Sequence, residues 1–337
     1  MDWFERLMGF VEAGYESTQR QLVVRGDRLV SLVNGKSYGI GSFEMPSLGE
    51  LRERTEGVLP GNLKVSSVTG DVRKLHREPE FEGALFQVAS QFNMLEMVGP
   101  SVTPEQGVTR YAGDHTQGPA CAIAAGAATI YRNYLIPCQG GIGQTKDRQL
   151  DGLADVGEAL AELTGVPGSG LWAMRNGYAM ASPQGLRAIA RALETATEDE
   201  IDRLRAKLRI GVHGKVEVTD AESELRPMVS QAFCSALPVA YAGGDRDLWA
   251  PLASLVLEAA YEATLLAAVK NASNGGSNIV LLTHLGGGAF GNEESWILGA
   301  MQRALALHKD RELDVRIVCY GRASRATVEL ASAFNGV

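Results

Sequence analysis

A glycine-rich segment near the end of the chain, Gly286 to Asn292 (GGGAFGN), has residue types that can bind an anion. It follows an apolar stretch that predicts a buried strand over residues 277–285, and it precedes a predicted helix over residues 293–308. Glycines let the backbone approach a ligand closely with its N–H groups exposed, and the helix adds the positive end of its dipole. This order predicts a phosphate or diphosphate site, with a tight structural turn as the alternative. The candidate ligands are Gly286, Gly287, Gly288, Ala289, Phe290, Gly291 and Asn292.

Three acidic residues lie in a long stretch with several glycines and prolines, residues 95–118, before an alanine-rich predicted helix over residues 119–134. Carboxyl groups gathered at one ligand suit glycosidic-bond chemistry. One can activate water or protonate a leaving group, while others stabilise an oxocarbenium-like transition state. The candidates are Glu96, Glu105 and Asp114. The alternatives are solvated loop acids and, for Asp114, a cap for the helix that follows Gly118.

Two polar side chains lie where predicted strands end. Asp71, in the turn Gly70-Asp71-Val72, follows a strand predicted from residue 63 and could accept a hydrogen bond from an exocyclic amine. Asn93 follows the apolar stretch 84–89 and could bond a ribose or a base, since ligands of α/β sheets lie beyond the carboxyl ends of the strands. An ordinary Asp turn and strand-end capping are the corresponding structural interpretations.

Composition and charge exclude several classes of function. The net charge of −8 argues against a nucleic-acid partner, whose phosphates require clustered Lys and Arg. The four cysteines form no C-x-x-C pair, so neither a zinc site nor a disulfide framework is predicted. The opening residues lack a signal-peptide pattern, and the longest apolar stretch, residues 252–269, contains two glutamates. We therefore expect a cytoplasmic protein with no membrane partner.

Strands and helices alternate in the predicted pattern, which is typical of an α/β fold. Residues 277–320 form the clearest unit, a strand, loop, helix and strand that make a parallel crossover. We predict a mixed, largely parallel sheet flanked by helices, with the ligand cleft at the carboxyl ends of the central strands. Residues 1–60 are predicted to be a helix and hairpin extension packed on the core, and residues 61–337 one globular domain.

Two further predictions concern the middle of the chain. Residues 209–218 are predicted to form a hairpin that turns at His213-Gly214, and residues 171–180 a single strand.

Four segments, taken in chain order, resemble the motifs of a macrodomain. They are the turn at Asp71, the stretch ALFQVASQFN that ends at Asn93, the loop to Gly118 with its alanine-rich helix, and GGGAFGN. The stretch from residue 86 to residue 134 is similar to the MavL branch of macrodomain hydrolases, distantly related to poly(ADP-ribose) glycohydrolase. The resemblance covers residues 60–325 loosely. The early hairpins and residues 165–230 depart from it as insertions, and the Gln-Glu-Glu signature of the glycohydrolase is absent.

The resemblance implies a macrodomain-like fold and a hydrolase that removes ADP-ribose from a modified protein, in that branch from arginine of ubiquitin. It implies an adenine contact for Asp71, a distal-ribose contact for Asn93 and Phe290, and a diphosphate wrapped by residues 286–291. Glu105 and Asp114, with Glu96, are implied to act at the ribose C1″ bond. The remaining implied contacts with ADP-ribose are Val72, Thr116, Gln117, Gly118 and Asn292. Neither a metal nor a cofactor is expected.

Two other functions fit parts of the pattern. A non-catalytic ADP-ribose reader would have the same binding loops, although it would not need the three loop acids. A Rossmann oxidoreductase would use Gly286, Gly288 and Gly291 as G-x-G-x-x-G. Against it, the motif lies far from the start of the chain, and no acid follows the next predicted strand to bind a ribose.

Overall fold

The chain folds around one large sheet. The computed structural model describes residues 1–223 and 225–335. The strands are β1 (Leu22–Arg25), β2 (Arg28–Ser31), β3 (Ser37–Gly39), β4 (Ser42–Glu44), β5 (Leu63–Thr69), β6 (Leu85–Ala89), β7 (Pro137–Cys138), β8 (Gly141–Ile142), β9 (Trp172–Arg175), β10 (Tyr178–Ala181), β11 (Gly211–Glu217), β12 (Met228–Cys234), β13 (Ile279–Leu282) and β14 (Leu313–Cys319).

The helices cover most of the remaining chain. They are α1 (Trp3–Met8), α2 (Tyr15–Gln19), α3 (Leu48–Thr55), α4 (Val72–Leu75), α5 (Gln117–Ala124), α6 (Gly126–Tyr134), α7 (Ala154–Thr164), α8 (Gly168–Leu171), α9 (Pro183–Thr195), α10 (Glu198–Lys207), α11 (Val239–Ala242), α12 (Arg246–Ser273), α13 (Glu294–Leu307) and α14 (Arg325–Ala333). Short 3-10 helices occupy Pro79–Phe81, Pro104–Gln106 and Thr109–Gly113.

The large sheet is mixed and mostly parallel. Its order is β4-β11-β12-β6-β13-β14-β5, and the last five strands of this order run parallel to one another, while β11 is antiparallel to both neighbours. Strand β13 has the sequence IVLL and lies between β6 and β14, as expected for a continuously apolar strand inside a parallel sheet. The predicted mixed, largely parallel sheet flanked by helices is confirmed.

Helices cover both faces of this sheet. On one face, α12 packs against α3, α9, α10 and α13, and contributes much of the largest hydrophobic cluster. On the other face, α4, α5 and α6 bury residues such as Phe86 and Val88 of β6. Helix α12 is long and apolar enough to cross a bilayer, with a mean hydropathy of 1.6 in its most apolar window, but 89% of that window is buried inside the protein. It therefore has the burial of a core helix.

Two local predictions are wrong. Residues 211–217 form one continuous strand rather than a hairpin, because the irregularity after His213 is a bulge in the register between β11 and β12. Residues 172–181 form the hairpin β9–β10 rather than one strand, since the chain reverses at Asn176-Gly177, where both residues have positive φ. Glycine adopts that conformation without strain.

The first 60 residues contribute to two parts of the molecule. Helices α1 and α2 and the sheet β1–β3 pack on α6, where Trp3, Phe4 and Leu7 meet Ile130 and Tyr134 in a separate hydrophobic cluster. Strand β4, in contrast, is an edge strand of the large sheet, and α3 packs on α12. Residues 42–55 are therefore part of the central α/β unit.

The hydroxyl of Tyr261 ties α12 to the segment that follows β13. It donates to the carbonyl of Thr283 at 2.6 Å and accepts from the N–H of Leu285 at 2.9 Å. We expect Tyr261→Phe to lower the free energy of unfolding by about 1–3 kcal/mol, because two buried backbone groups each lose a hydrogen bond and keep the 2.9 Å bond from the N–H of Leu285 to the carbonyl of Thr283. Urea unfolding measures this loss. The control is Tyr320→Phe, whose ring is 88% exposed and should leave stability unchanged; equal losses would contradict the assignment.

Candidate functional site

Two connected clefts lie at the carboxyl ends of the parallel strands. The outer cleft, about 590 Å³, lies beyond β5, β14 and β13 and is lined by residues 70–73, 283–284 and 318–322 among others. The inner cleft, about 130 Å³, lies beyond β6 and β13 and is lined by residues 89–91, 96–98 and 283–286 among others. Residues lining both clefts are Asp114, Thr116, Gln117, Thr283 and His284. A single elongated ligand can therefore occupy both.

The glycine-rich segment forms one wall of the inner cleft. Gly286 has φ +75°, and a Cβ there would overlap Ala236 and Asn292. Asn292 closes the loop: its N–H donates to the carbonyl of Gly286 at 3.0 Å and its amide to that of Leu237 at 2.8 Å. Among the described residues, the N–H groups of residues 288–290 have no hydrogen-bond acceptor. Successive free N–H groups make an anion-binding concavity.

The N-terminus of α5 forms the facing wall. A Cβ at Gly118 would overlap the carbonyl oxygen of Ala89, so only glycine lets this helix start so close to the end of β6. The side chain of Gln117 fixes the contact, since its Oε1 accepts from the N–H of Ala89 at 2.8 Å and its Nε2 donates to the carbonyl of Gln87 at 2.8 Å. The positive end of α5 therefore faces the inner cleft across from the glycine-rich segment.

Glu96 is a fully buried carboxyl group that lines the inner cleft. Its Oε1 accepts a long bond of 3.5 Å from Arg132, and its Oε2 has no hydrogen-bond partner among the described residues. Burial raises the pKa of Glu96 to about 7, and the Arg132 guanidinium offsets only part of this rise. A carboxyl group with this pKa can both donate and accept a proton near neutral pH.

The Arg132 guanidinium is held independently of Glu96. It lies 3.8 Å from the centroid of the Phe233 ring, donates to the carbonyl of Met94 at 3.1 Å, and is bonded to His213 and Thr129. Because Arg132 is fixed on several sides, it determines which oxygen of Glu96 is engaged and which stays free.

Asp114 lines both clefts and is bonded to the residue that precedes α5. Its Oδ1 accepts from the backbone N–H of Thr116 at 2.9 Å and from the Thr116 hydroxyl at 2.7 Å. The N-cap residue of α5 is Thr116, without a side-chain capping bond, so Asp114 forms a turn before the helix and does not cap it. This contact orients Asp114 where the two clefts meet, and Asp114 shares the inner cleft with Glu96. Two carboxyl groups in one cleft suit acid–base chemistry.

Three aromatic rings close the inner cleft on one side. The centroids of Phe290 and Tyr178 are 5.2 Å apart, those of Phe290 and Tyr241 are 5.7 Å apart, and those of Tyr178 and Tyr241 are 5.2 Å apart. The Tyr178 hydroxyl donates to the carbonyl of Met97 at 2.6 Å, which fixes its ring. Such a wall packs against a sugar ring or a cation.

The outer cleft is lined by both polar and apolar side chains. Asp71 caps α4 through a 2.9 Å bond from the N–H of Arg73, and Val72 is buried beside it. Ile123 and Val318 add apolar surface, and Tyr320 is 88% exposed at the rim. The cleft can hold a flat, partly apolar group against these side chains.

Most of the predicted site residues meet at these clefts. Those that line one or both are Asp71, Val72, Glu96, Asp114, Thr116, Gln117, Gly118, Gly286, Gly288, Ala289 and Phe290. Gly287, Gly291 and Asn292 belong to the same glycine-rich segment but line neither cleft. Gly291 has φ +71° and approaches Ala240, and Asn292 closes the loop as described.

Two predicted residues lie away from the clefts. Asn93 is fully buried; its Nδ2 donates to Gln149 at 2.8 Å and its Oδ1 accepts from the N–H of Leu95 at 3.1 Å, which is the strand-end capping alternative. Glu105 lies on the 3-10 helix 104–106 and accepts from the N–H of Lys146 at 2.9 Å. The structure therefore brings Glu96 and Asp114 together without Glu105.

Sequence reasoning missed Tyr178, Tyr241, Tyr320 and His284. Tyr320 follows β14 directly, so the rule that ligands lie beyond the carboxyl ends of strands could have identified it. His284 is bonded to Thr327 at 3.0 Å and lines both clefts. Tyr178 and Tyr241 come from a hairpin and a short helix whose position beside the cleft has no sequence signal.

Comparisons with known proteins gave structural likeness only. No protein-family model and no curated protein matches the chain. Among solved structures, it is similar to poly(ADP-ribose) glycohydrolase from Thermomonospora curvata, with 14% identity, a TM-score of 0.41, and 95% of this chain and 96% of that chain covered. It is similar to the Deinococcus radiodurans glycohydrolase in complex with ADP-ribose, with 13% identity, a TM-score of 0.40, and coverage of 87% and 92%. Likeness at this level carries no conclusion about the chemistry of the clefts.

Gly118 should tolerate no side chain. We expect Gly118→Ala to lower the free energy of unfolding by about 1–3 kcal/mol or more, because the methyl group would overlap a backbone carbonyl at the end of β6. Urea unfolding measures the loss. The matched control is Gly288→Ala, where a Cβ would have no described atom within 4 Å. If both substitutions left stability unchanged, the close approach of α5 to Ala89 would be wrong.

The pKa of Glu96 predicts a pH-dependent contribution to stability. The folded pKa, about 7, lies above the usual 4.5, so the folded protein binds this proton more tightly than the unfolded chain. The resulting stabilisation is complete below about pH 4.5 and is lost as the pH rises to about 7. Across this window, the free energy of unfolding of the wild type should fall relative to that of Glu96→Gln. Loss of the negative charge opposite Arg132 adds a constant difference between the two proteins that does not depend on pH. Urea unfolding over a pH series measures the difference; a flat difference would contradict the raised pKa.

Proposed function

We propose that this protein is an ADP-ribosyl hydrolase, which binds the ADP-ribose group of a modified protein across the two clefts and cleaves the bond at C1″ of its distal ribose. One observation carries the proposal: the buried carboxyl group of Glu96, with a pKa of about 7, shares a 130 Å³ cleft with Asp114 and with free backbone N–H groups. Perturbed titratable groups in a cleft are typical of catalytic sites.

The diphosphate fits between the two walls of the inner cleft. The free N–H groups of residues 288–290 and the N-terminus of α5 carry positive partial charge from opposite sides. This local field explains how a protein with a net charge of −8 can bind an anion. The adenosine would then occupy the outer cleft beside Asp71, and the distal ribose the inner cleft beside Phe290.

The two carboxyl groups would divide the reaction between them. Hydrolysis breaks the bond from C1″ to the leaving atom, forms a bond from C1″ to a water oxygen, and moves one water proton to the leaving group. The protonated form of Glu96 can supply a proton to the leaving atom, while the Asp114 carboxylate stabilises positive charge on the ribose or accepts the proton of the water. The sequence resemblance adds weight to this assignment.

The finer proposal is an N-glycosidic bond to arginine. Arginine leaves poorly unless it is protonated, and Glu96 offers the acid that this departure requires. The rings of Phe290, Tyr178 and Tyr241 beside the Asp114 carboxyl group also suit a planar cation. ADP-ribosylated ubiquitin is the first substrate to test, because the resemblance implies it.

Asp114→Asn should abolish turnover while ADP-ribose binding is kept. The asparagine retains the Oδ1 acceptor for Thr116 and so the turn that precedes α5, but it loses the negative charge. We expect the release of ADP-ribose from arginine-modified protein to fall by at least about 100-fold. Released ADP-ribose measures turnover, with glutamate- and serine-linked proteins assayed in parallel, and calorimetry measures binding.

Glu105→Gln is the matched control, because Glu105 lies away from both clefts and should keep nearly full turnover. Equal turnover in Asp114→Asn and wild type would refute the catalytic assignment. Binding without turnover in the wild type would make the protein a reader. No binding of ADP-ribose would overturn the proposal, and consumption of a nicotinamide, seen by absorbance, would replace it with the oxidoreductase.

A further inference from the structure

Glu12, in the segment between α1 and α2, is bonded to the stretch of residues 95–118 that carries the candidate acids. Its carboxylate accepts from the N–H of Val108 at 2.9 Å, from the N–H of Thr109 at 2.7 Å and from the hydroxyl of Tyr134 at 2.7 Å. Gly107 has φ +80°, and a Cβ there would overlap the same carboxylate. The backbone of this stretch is therefore shaped around one side chain that lies almost 100 residues earlier.

The 3-10 helix Thr109–Gly113 connects Glu12 to both candidate acids. Its first residue, Thr109, and the preceding Val108 are bonded to Glu12, and its last residue, Gly113, directly precedes Asp114. In its middle, the hydroxyl of Tyr111 accepts from the N–H of Glu96 at 3.1 Å. Val108, the N-cap residue, supplies no side-chain hydrogen bond, so Glu12 satisfies N–H groups that would otherwise lack a partner.

Neighbouring residues hold the Glu12 segment itself in place. Trp3 packs against Gly126 and its indole N–H donates to the carbonyl of Thr109 at 3.3 Å. Tyr15 donates to the carbonyl of Asn133 at 3.0 Å. Contacts with α6 hold the chain on both sides of Glu12. The Glu12 carboxylate can therefore fix the position of the 3-10 helix to which it is bonded.

We infer that Glu12 is a positioning residue for the reaction proposed above: it fixes the 3-10 helix 109–113, and through that helix holds Asp114 and Glu96 at the inner cleft. The inference rests on the proposed function. By this inference, the first 20 residues contribute to catalysis by positioning the acids, in addition to packing on α6. Glu12 lines neither cleft, so it has no direct contact with the substrate.

Glu12→Ala tests the inference through a split between turnover and binding. We expect kcat to fall about 10- to 100-fold, because small displacements of catalytic groups cost this much, while KM and the Kd of free ADP-ribose stay unchanged. The value of kcat is expressed per ADP-ribose site counted by calorimetry, so that unfolded protein does not contribute. Glu12→Gln keeps one oxygen acceptor and should restore part of the rate.

The control is Glu16→Ala, a nearby acid in α2 whose side chain is 84% exposed and pairs only with Arg20 among the described residues. It should leave kcat unchanged. Peptide-level hydrogen exchange gives a readout that does not depend on turnover: residues 104–114 should exchange faster in Glu12→Ala and not in Glu16→Ala.

The outcomes separate the two proposals. A wild-type protein without turnover sinks the proposed function, whereas unchanged exchange and unchanged kcat per site in Glu12→Ala sink the inference alone. A parallel loss of ADP-ribose binding would also overturn it, because Glu12 would then support the whole cleft rather than its acids.

Discussion

The absence of a side chain at Gly118 is the constraint on which the site depends. It lets α5 begin against the carbonyl oxygen of Ala89, where the helix N-terminus faces the glycine-rich segment across a narrow cleft. The Gln117 amide bonds to the end of β6 on both of its polar atoms, so the helix is fixed to the strand rather than merely near it. These two elements supply the proposed contacts with the diphosphate, and their mutual position sets the width of the cleft.

The second requirement is a carboxyl group that burial keeps close to its protonated form. Glu96 has this property because its side chain is excluded from water and Arg132 reaches only one of its oxygens, at 3.5 Å. Burial also lowers the pKa of Arg132, so desolvation outweighs attraction for both partners. A tighter ion pair would have held Glu96 as a carboxylate and removed its use as an acid. The long contact is therefore consistent with the proposed chemistry.

Prediction from sequence succeeded where backbone chemistry is local. The apolar strands, the glycine-rich segment after β13 and a helix that starts within two residues of the predicted position all follow from residue type and order. The loop and the helix start fall at the same edge of the sheet because the strands are parallel. It was less successful for side chains whose partners are distant. Asn93 and Glu105 looked as available for a ligand as Asp114, yet Gln149 and Lys146 engage them.

The sequence by itself therefore determined the kind of fold and the segments suited to an anion. Strand formation and the backbone freedom of glycine depend on residues that are adjacent in the sequence, so they can be read without the tertiary structure. Only the tertiary structure decided which of the three acids share a cleft, which aromatic rings close that cleft, and that Glu12 is bonded to the start of the 3-10 helix 109–113. These relations depend on contacts between segments tens to more than one hundred residues apart, and burial, which sets the pKa of Glu96, exists only once those segments are packed.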